Sequence, residues 1–351
     1  MKPGVSPRAI ARAFCLALSW LATGALAAPV GDALDRPAVM VQQPGRAVLL
    51  AAASTGTRLV AVGERGVVAL SDDGGKQWRQ VPVPTSVSLT AVRFGDGGRG
   101  VAVGHGGIVL TSQDSGASWQ RRLDGRQAAT LAVDAARRSG SAMRIKEAER
   151  LVSEGADKPF LDVLLLGEQK ILAVGAYGIA FASEDGGRTW TPWMDRLPNE
   201  KGQHLYLARK AGDTLLVAGE QGLILRSTDN GATFQPLASP YKGSWFAGEL
   251  PRSGEFVLAG LRGNAWRSSD GGSRWVQLAN PHPASITSTL AAGGALLFAN
   301  QAGVVLRLQG DALVPVKTAA PLPPLAGLVA AGDGLLGVGL AGVVPVEGRA
   351  R

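Results

Sequence analysis

"AVGAYGIAFASEDGGRTW", residues 173–190, joins two phrases that this 351-residue chain repeats with variations. The second phrase, SEDGGRTW (183–190), returns as SDDGGKQW (71–78), SQDSGASW (112–119) and SSDGGSRW (268–275), and with a final phenylalanine as STDNGATF (227–234). The first phrase is an apolar run, a G-x-x-G turn and a second apolar run. It stands before the other four as AVGERGVVAL, AVGHGGIVLT, LAGLRGNAWR and VAGEQGLILR. FANQAGVVLR and GVGLAGVVPV repeat the first phrase without the second, which makes seven copies.

The turns begin at Gly63, Gly104, Gly175, Gly219, Gly260, Asn300 and Gly339, at intervals of 41, 71, 44, 41, 40 and 39 residues. A period near 40 with several short strands per repeat is the pattern of a propeller blade. The second repeat spells out four strands, at 89–94, 100–104, 107–112 and 119–123, with glycines at the turns where positive φ is needed. The reading is an all-β, seven-bladed β-propeller. The last copy ends near Val346 without room for a fourth strand, so PAVMVQ (37–42) is expected to supply it and close the ring.

The long interval is explained by residues 126–159, rich in Ala, Leu, Arg, Lys and Glu, with Ile145, Ala148, Leu151 and Val152 on one helical stripe and Gly155 as a stop. One long helix or two are expected there, projecting between blades two and three and dispensable for folding.

The aspartate phrase falls at the turn between the third and fourth strands. Its carboxylate can accept from the turn's own N–H groups, its glycine supplies a conformation costly to other residues, and its aromatic packs beside the turn. Asp73, Gly75 and Trp78 play these parts in the first blade, followed by Asp114, Gly116 and Trp119, then Asp185, Gly187 and Trp190, then Asp229, Gly231 and Phe234, and finally Asp270, Gly272 and Trp275. Five aspartates spread around a ring cannot converge on one substrate, as the paired carboxylates of glycosidases must within about 5–9.5 Å. These residues are therefore read as architecture.

A binding face follows. The G-x-x-G turns and the links between blades share one face and carry different residues in each blade, which is how a repeat protein acquires an asymmetric surface. Its candidates are Arg65, His105, Tyr177, Gln221 and Arg262 in the turns, with Tyr241 and Trp245 in a link. His105, His204 and His282 lack metal-ligand spacing, so neither metal nor cofactor is expected.

At the N-terminus, Lys2, Arg8 and Arg12 precede an apolar run (13–27) ending in an A-x-A arrangement, the form of a secretory signal peptide. Residues 1–27 are expected to be removed and residues 28–351 to form one propeller domain. The removal takes the only cysteine, Cys15, and three basic but no acidic side chains, lowering the formal net charge from +8 to +5. The remaining basic residues are scattered, which argues against nucleic acid, and no later stretch is a membrane span.

S-x-D-x-G-x-x-W resembles the Asp-box, or bacterial neuraminidase repeat. Together with A-V-G-x-x-G it is more similar to the photosystem II stability and assembly factor family, over nearly all of residues 36–346. That resemblance implies a non-enzymatic exported propeller in the periplasm, aiding assembly, stability or docking of a membrane-protein complex. In non-photosynthetic bacteria the partner it implies is an integral membrane protein, such as a resistance-nodulation-division type exporter. The alternative is an Asp-box glycoside hydrolase such as a sialidase, but Tyr177, Tyr206 and Tyr241 all lie before the C-terminal third of the expected mature chain, residues 28–351, where that family's nucleophile stands.

Overall fold

A computed structural model describes residues 31–56 and 58–346. The expected signal peptide lies outside the described residues. Within them the chain folds into seven antiparallel sheets, six of four strands and the last of three, each built from strands consecutive in sequence. The first strands of successive sheets pack against one another, and the first strand of the seventh sheet packs against that of the first.

Burial varies with position in the sheet. Second strands such as Thr214–Gly219 and Glu255–Gly260 are buried at every residue, which is why they read as unbroken apolar runs. First strands are mixed, as in Leu205–Ala211, where Leu205, Leu207 and Ala208 are buried in the packing between sheets and Tyr206 and Arg209 line a central cavity. Outer strands shrink to two residues in four sheets, and two of these, Thr191–Pro192 and Gln235–Pro236, end in proline. Short, proline-blunted edges resist pairing with other chains.

Two expectations are corrected. Residues 37–42 form no strand and do not join the last sheet. They run along the outer edge of the first sheet, where Ala38 N–H donates to the Val83 carbonyl at 3.2 Å. The Gln80 side-chain amide imitates a neighbouring strand, its Nε2 donating to Val39 O at 3.1 Å and its Oε1 accepting from Val41 N at 2.8 Å. Leu34 and Ala38 are buried in the core shared by sheets one and two, which fixes the segment there. Among the described residues sheets seven and one therefore meet without a shared ladder, with Leu49, Ala61, Val67 and Val338 at the centre of the contact and Gly342 lying against the Gly45 carbonyl.

The insertion, secondly, does not project. It forms α1 (Gly125–Ser139) and α2 (Ala142–Glu154). Asp124 caps α1 by accepting from Arg126 N and Gln127 N, both at 3.0 Å, and Gly140 ends it at φ 68°. One face of α1, led by Ala128, Ala132, Val133 and Ala136, is buried in the core formed by sheets two and three with Val109, Phe160, Ile179 and Phe181. Small side chains let the helix approach the sheets closely. On α2, Ala148 is buried, Ile145 and Leu151 pack behind it, and Val152 stays exposed.

Candidate functional site

The two phrases place two kinds of turn. In the aspartate turns the side chains serve the turn itself. Asp185 Oδ1 accepts from Ser183 Oγ and Thr189 N, both at 2.9 Å, and Oδ2 accepts from Thr189 Oγ1 at 2.6 Å. Ser183 Oγ in turn accepts from Gly187 N at 2.8 Å, and Trp190 Nε1 donates to Gly187 O at 3.1 Å. Asp73, Asp114, Asp229 and Asp270 accept in the same way from Ser71, Ser112, Ser227 and Ser268. Against a burial penalty, the Thr189 and Ser183 hydrogen bonds hold the Asp185 carboxyl at about 2. Chiefly the Thr233 hydroxyl and N–H do the same for Asp229, also at about 2. The turn's last glycine takes φ of 83–91° and rests on the preceding sheet, Gly116 beside Val60 and Leu70, and Gly187 beside Thr111. The pattern breaks at Trp275, whose buried Nε1 finds no partner among the described residues.

The G-x-x-G turns follow a different rule. Their first glycine is extended, but a Cβ there would stand about 2 Å from a backbone oxygen: 2.0 Å from Val48 O at Gly63 and 1.9 Å from His204 O at Gly219. The missing Cβ lets the turn close on that carbonyl, which accepts from the next N–H, as Glu64 N to Val48 O at 3.1 Å; the sixth turn keeps the bond with Asn300 in first place, Gln301 N to Ser285 O at 3.0 Å. The third position is left-handed. Arg65, Tyr177, Gln221 and Arg262 occupy it at φ 55°, 55°, 52° and 57°, where a side chain carries a backbone cost that glycine avoids. All four side chains are exposed, and Arg65 and Arg262 form no ion pair among the described residues. His105 is exposed too but stands one place earlier, the left-handed position being Gly106. Tyr241 is half-buried, its hydroxyl donating to Leu261 O at 3.3 Å. Trp245 is a correction: fully buried between sheets four and five, it is core and cannot touch a partner. Its place as first residue of the inner strand Trp245–Arg252 turns it inward, as Leu205 and Ile286 are turned in neighbouring sheets.

From this face a cavity of about 490 Å³ runs between the first strands. A register shift near the start of each first strand turns one residue toward it. Tyr206 and Phe246 are two of these, edge to face at 5.1 Å, and His204 links them to exposed Tyr177 by further edge contacts of 6.0 and 4.8 Å. Tyr177 N–H donates to His204 Nδ1 at 2.8 Å. Deeper in, buried Asp162 of sheet three pairs with Arg209 of sheet four and, at 3.3 Å, with Arg93 of sheet two. Arg209 Nε donates to Gly248 O at 2.8 Å and lies 4.0 Å from Glu249 of sheet five, while Thr289 of sheet six donates to Gly248 O or Glu249, each at 3.1 Å. Burial alone would raise Asp162, but the charges of Arg209 and Arg93 hold its carboxyl below the usual range. Burial, with the charge of Glu220 added, pushes the Tyr206 phenol up.

Sequence reasoning did not single out this polar cluster. The available signal was a charged residue amid the apolar run of the first strand in four successive repeats, in LTAVRF, FLDVLL, LYLARKA and WFAGELPR.

The sheet order and the comparisons together make the chain a β-propeller. A solved structure described as YCF48 bound to D1 peptide is 16% identical and superposes with a TM-score of 0.63 over 88% of this chain and 95% of that one. YCF48 from Cyanidioschyzon merolae is 15% identical, with a TM-score of 0.61 over 87% and 97% of the two chains. The WD40 β-propeller domain of Doa1 is 10% identical, with a TM-score of 0.58 over 89% and 95%. No family model matches the chain, and no curated protein matches it in sequence.

Proposed function

We propose that the chain is a non-enzymatic, seven-bladed Asp-box propeller that binds a protein partner on its G-x-x-G face, as an exported assembly, stability or docking factor for a membrane-protein complex. The observation that carries this reading is the set of left-handed, exposed side chains at Arg65, Tyr177, Gln221 and Arg262. A backbone cost accepted at four equivalent turns, where glycine would be cheaper, fits a surface shaped by binding. The likeness to a propeller described as bound to a peptide supports a polypeptide ligand. The N-terminal sequence favours a periplasmic setting, and an exporter as the membrane partner follows from the family resemblance alone.

The cavity favours one comparison with the hydrolase alternative, because it gathers two arginines, a tyrosine and carboxylates. Its geometry argues against hydrolysis. Asp162 is held ionised by two arginines and so cannot serve as a general acid near neutral pH. Tyr206 is pushed away from the phenolate a nucleophile needs.

In-cell crosslinking of the tagged protein, followed by mass spectrometry of the membrane fraction, tests the proposal. Recovery of one polytopic membrane protein, lost in a variant with Arg65, Gln221 and Arg262 all changed to Gly, is expected. Equal recovery by that variant, or turnover of a fluorogenic sialoside by the purified protein, would overturn it.

A further inference from the structure

The central cavity is divided. Sheets two to six supply its polar arc, and sheets seven and one line it mainly with small residues, Ala51, Ala52, Ala53 and Ser54 in one and Ala326 and Ala330 in the other. In the polar arc most hydrogen-bonding groups are already engaged. Asp162 accepts from Val163 N, Ala208 N, Arg93 and Arg209, and Arg209 is further tied to two backbone carbonyls.

Arg93 differs. Its single hydrogen bond among the described residues is the 3.3 Å contact from Nη2 to Asp162, leaving most of its N–H groups for another acceptor. It is also the most accessible charge of the cluster, 40% exposed against 22% for Glu249, 14% for Arg209 and 5% for Asp162. It stands in sheet two, whose first strand packs against that of sheet one, so it borders the apolar wall. Phe246 and Tyr206 flank the opening, and no described group accepts from or donates to the Tyr206 hydroxyl. The volume is within the range of small-molecule sites, about 300–1,000 Å³.

We propose that this cavity binds a small amphipathic carboxylate, its head group on Arg93 and its apolar body against sheets one and seven. A guanidinium with free donors matches a carboxylate in geometry and charge, and the adjoining alanine-rich wall adds only the Ser54 hydroxyl, which already donates to Gly56 O. The site lies inside the cavity, below the turn face on which it opens, and does not depend on the partner reading.

Titration calorimetry of the purified protein with 4-phenylbutyrate and octanoate tests it. Saturable binding is expected for both acids, weaker by at least about tenfold for 4-phenylbutyramide and for the Arg93→Gln variant, and lost on filling the cavity with Ala53→Phe. The Arg262→Gly variant should bind as the unmodified protein does. Absence of saturable binding of either acid up to about 10 mM would overturn the proposal. So would equal binding of acid and amide, a comparison made on unmodified protein and therefore decisive even if Arg93→Gln fails to fold.

Discussion

The two repeated turns found together in five of the sheets are both short phrases, yet they behave as opposites. In the aspartate turns, serine, aspartate and glycine look inward and make the same bonds in five sheets. In the G-x-x-G turns only the backbone repeats: the glycines meet a carbonyl, and the third side chain points out at whatever residue the sequence provides. One end of the propeller is thus fixed by side chains, and the other is fixed by main chain with its side chains left free. Variation is tolerated where the backbone alone carries the geometry.

If that contrast holds, the largest effect should come from the main-chain end. Gly219→Val would place a Cβ 1.9 Å from His204 O, and a loss of more than about 4 kcal/mol, or failure to fold, is expected in denaturant titration. Second comes the inner ring, where Asp162→Asn leaves Arg209 buried without its charge partner. A loss of about 3–5 kcal/mol, read as a lowered melting temperature, is the expected outcome.

The aspartate turns should reveal themselves in acid. Asp185 and Asp229 titrate at about 2 in the folded protein against 3.8 as the ordinary value, so the stability they contribute is complete above 3.8 and is lost as pH falls through about 2. The double variant Asp185→Asn, Asp229→Asn should flatten the pH dependence of stability in that window.

A finer contrast lies within the aspartate turns. Trp190→Phe removes a hydrogen bond to Gly187 O and should cost about 1 kcal/mol more than Trp275→Phe, whose indole N–H has no acceptor among the described residues. Equal costs would mean that the indole hydrogen bond adds nothing to the turn. Smallest of all should be the effect of changing Arg65, Gln221 and Arg262 together to Gly. Relief of the left-handed strain offsets the added freedom of the unfolded chain, so the melting temperature should move by no more than about 2 °C while partner capture is lost.

Much of this was legible in the repeats. The interval of about 40 residues announced the sheets, and S-x-D-x-G-x-x-W announced a turn bonded to itself, because each residue type has one evident task at that spacing. The route of residues 37–42 was not legible, since an apolar extended stretch says nothing about which edge it will meet. That was decided by the burial of Leu34 and Ala38 and by the amide of Gln80, a residue distant in sequence. Trp245 misled for a related reason: an aromatic in a link reads as an anchor until the register of the following strand turns it inward. The cavity charges stayed hidden because a single Arg or Asp in an apolar strand resembles an ordinary solvent-facing residue until several first strands are set side by side.

Among the described residues the last sheet has no fourth strand, and the first sheet is complete within itself. No backbone hydrogen-bond ladder among the described residues therefore straddles the junction between the last sheet and the first. Opening there requires only that Val338, Leu49 and their neighbours part, while every other element keeps its ladder. Amide deuterium uptake should accordingly begin at Gly342–Val346, giving the molecule a preferred place from which to come undone.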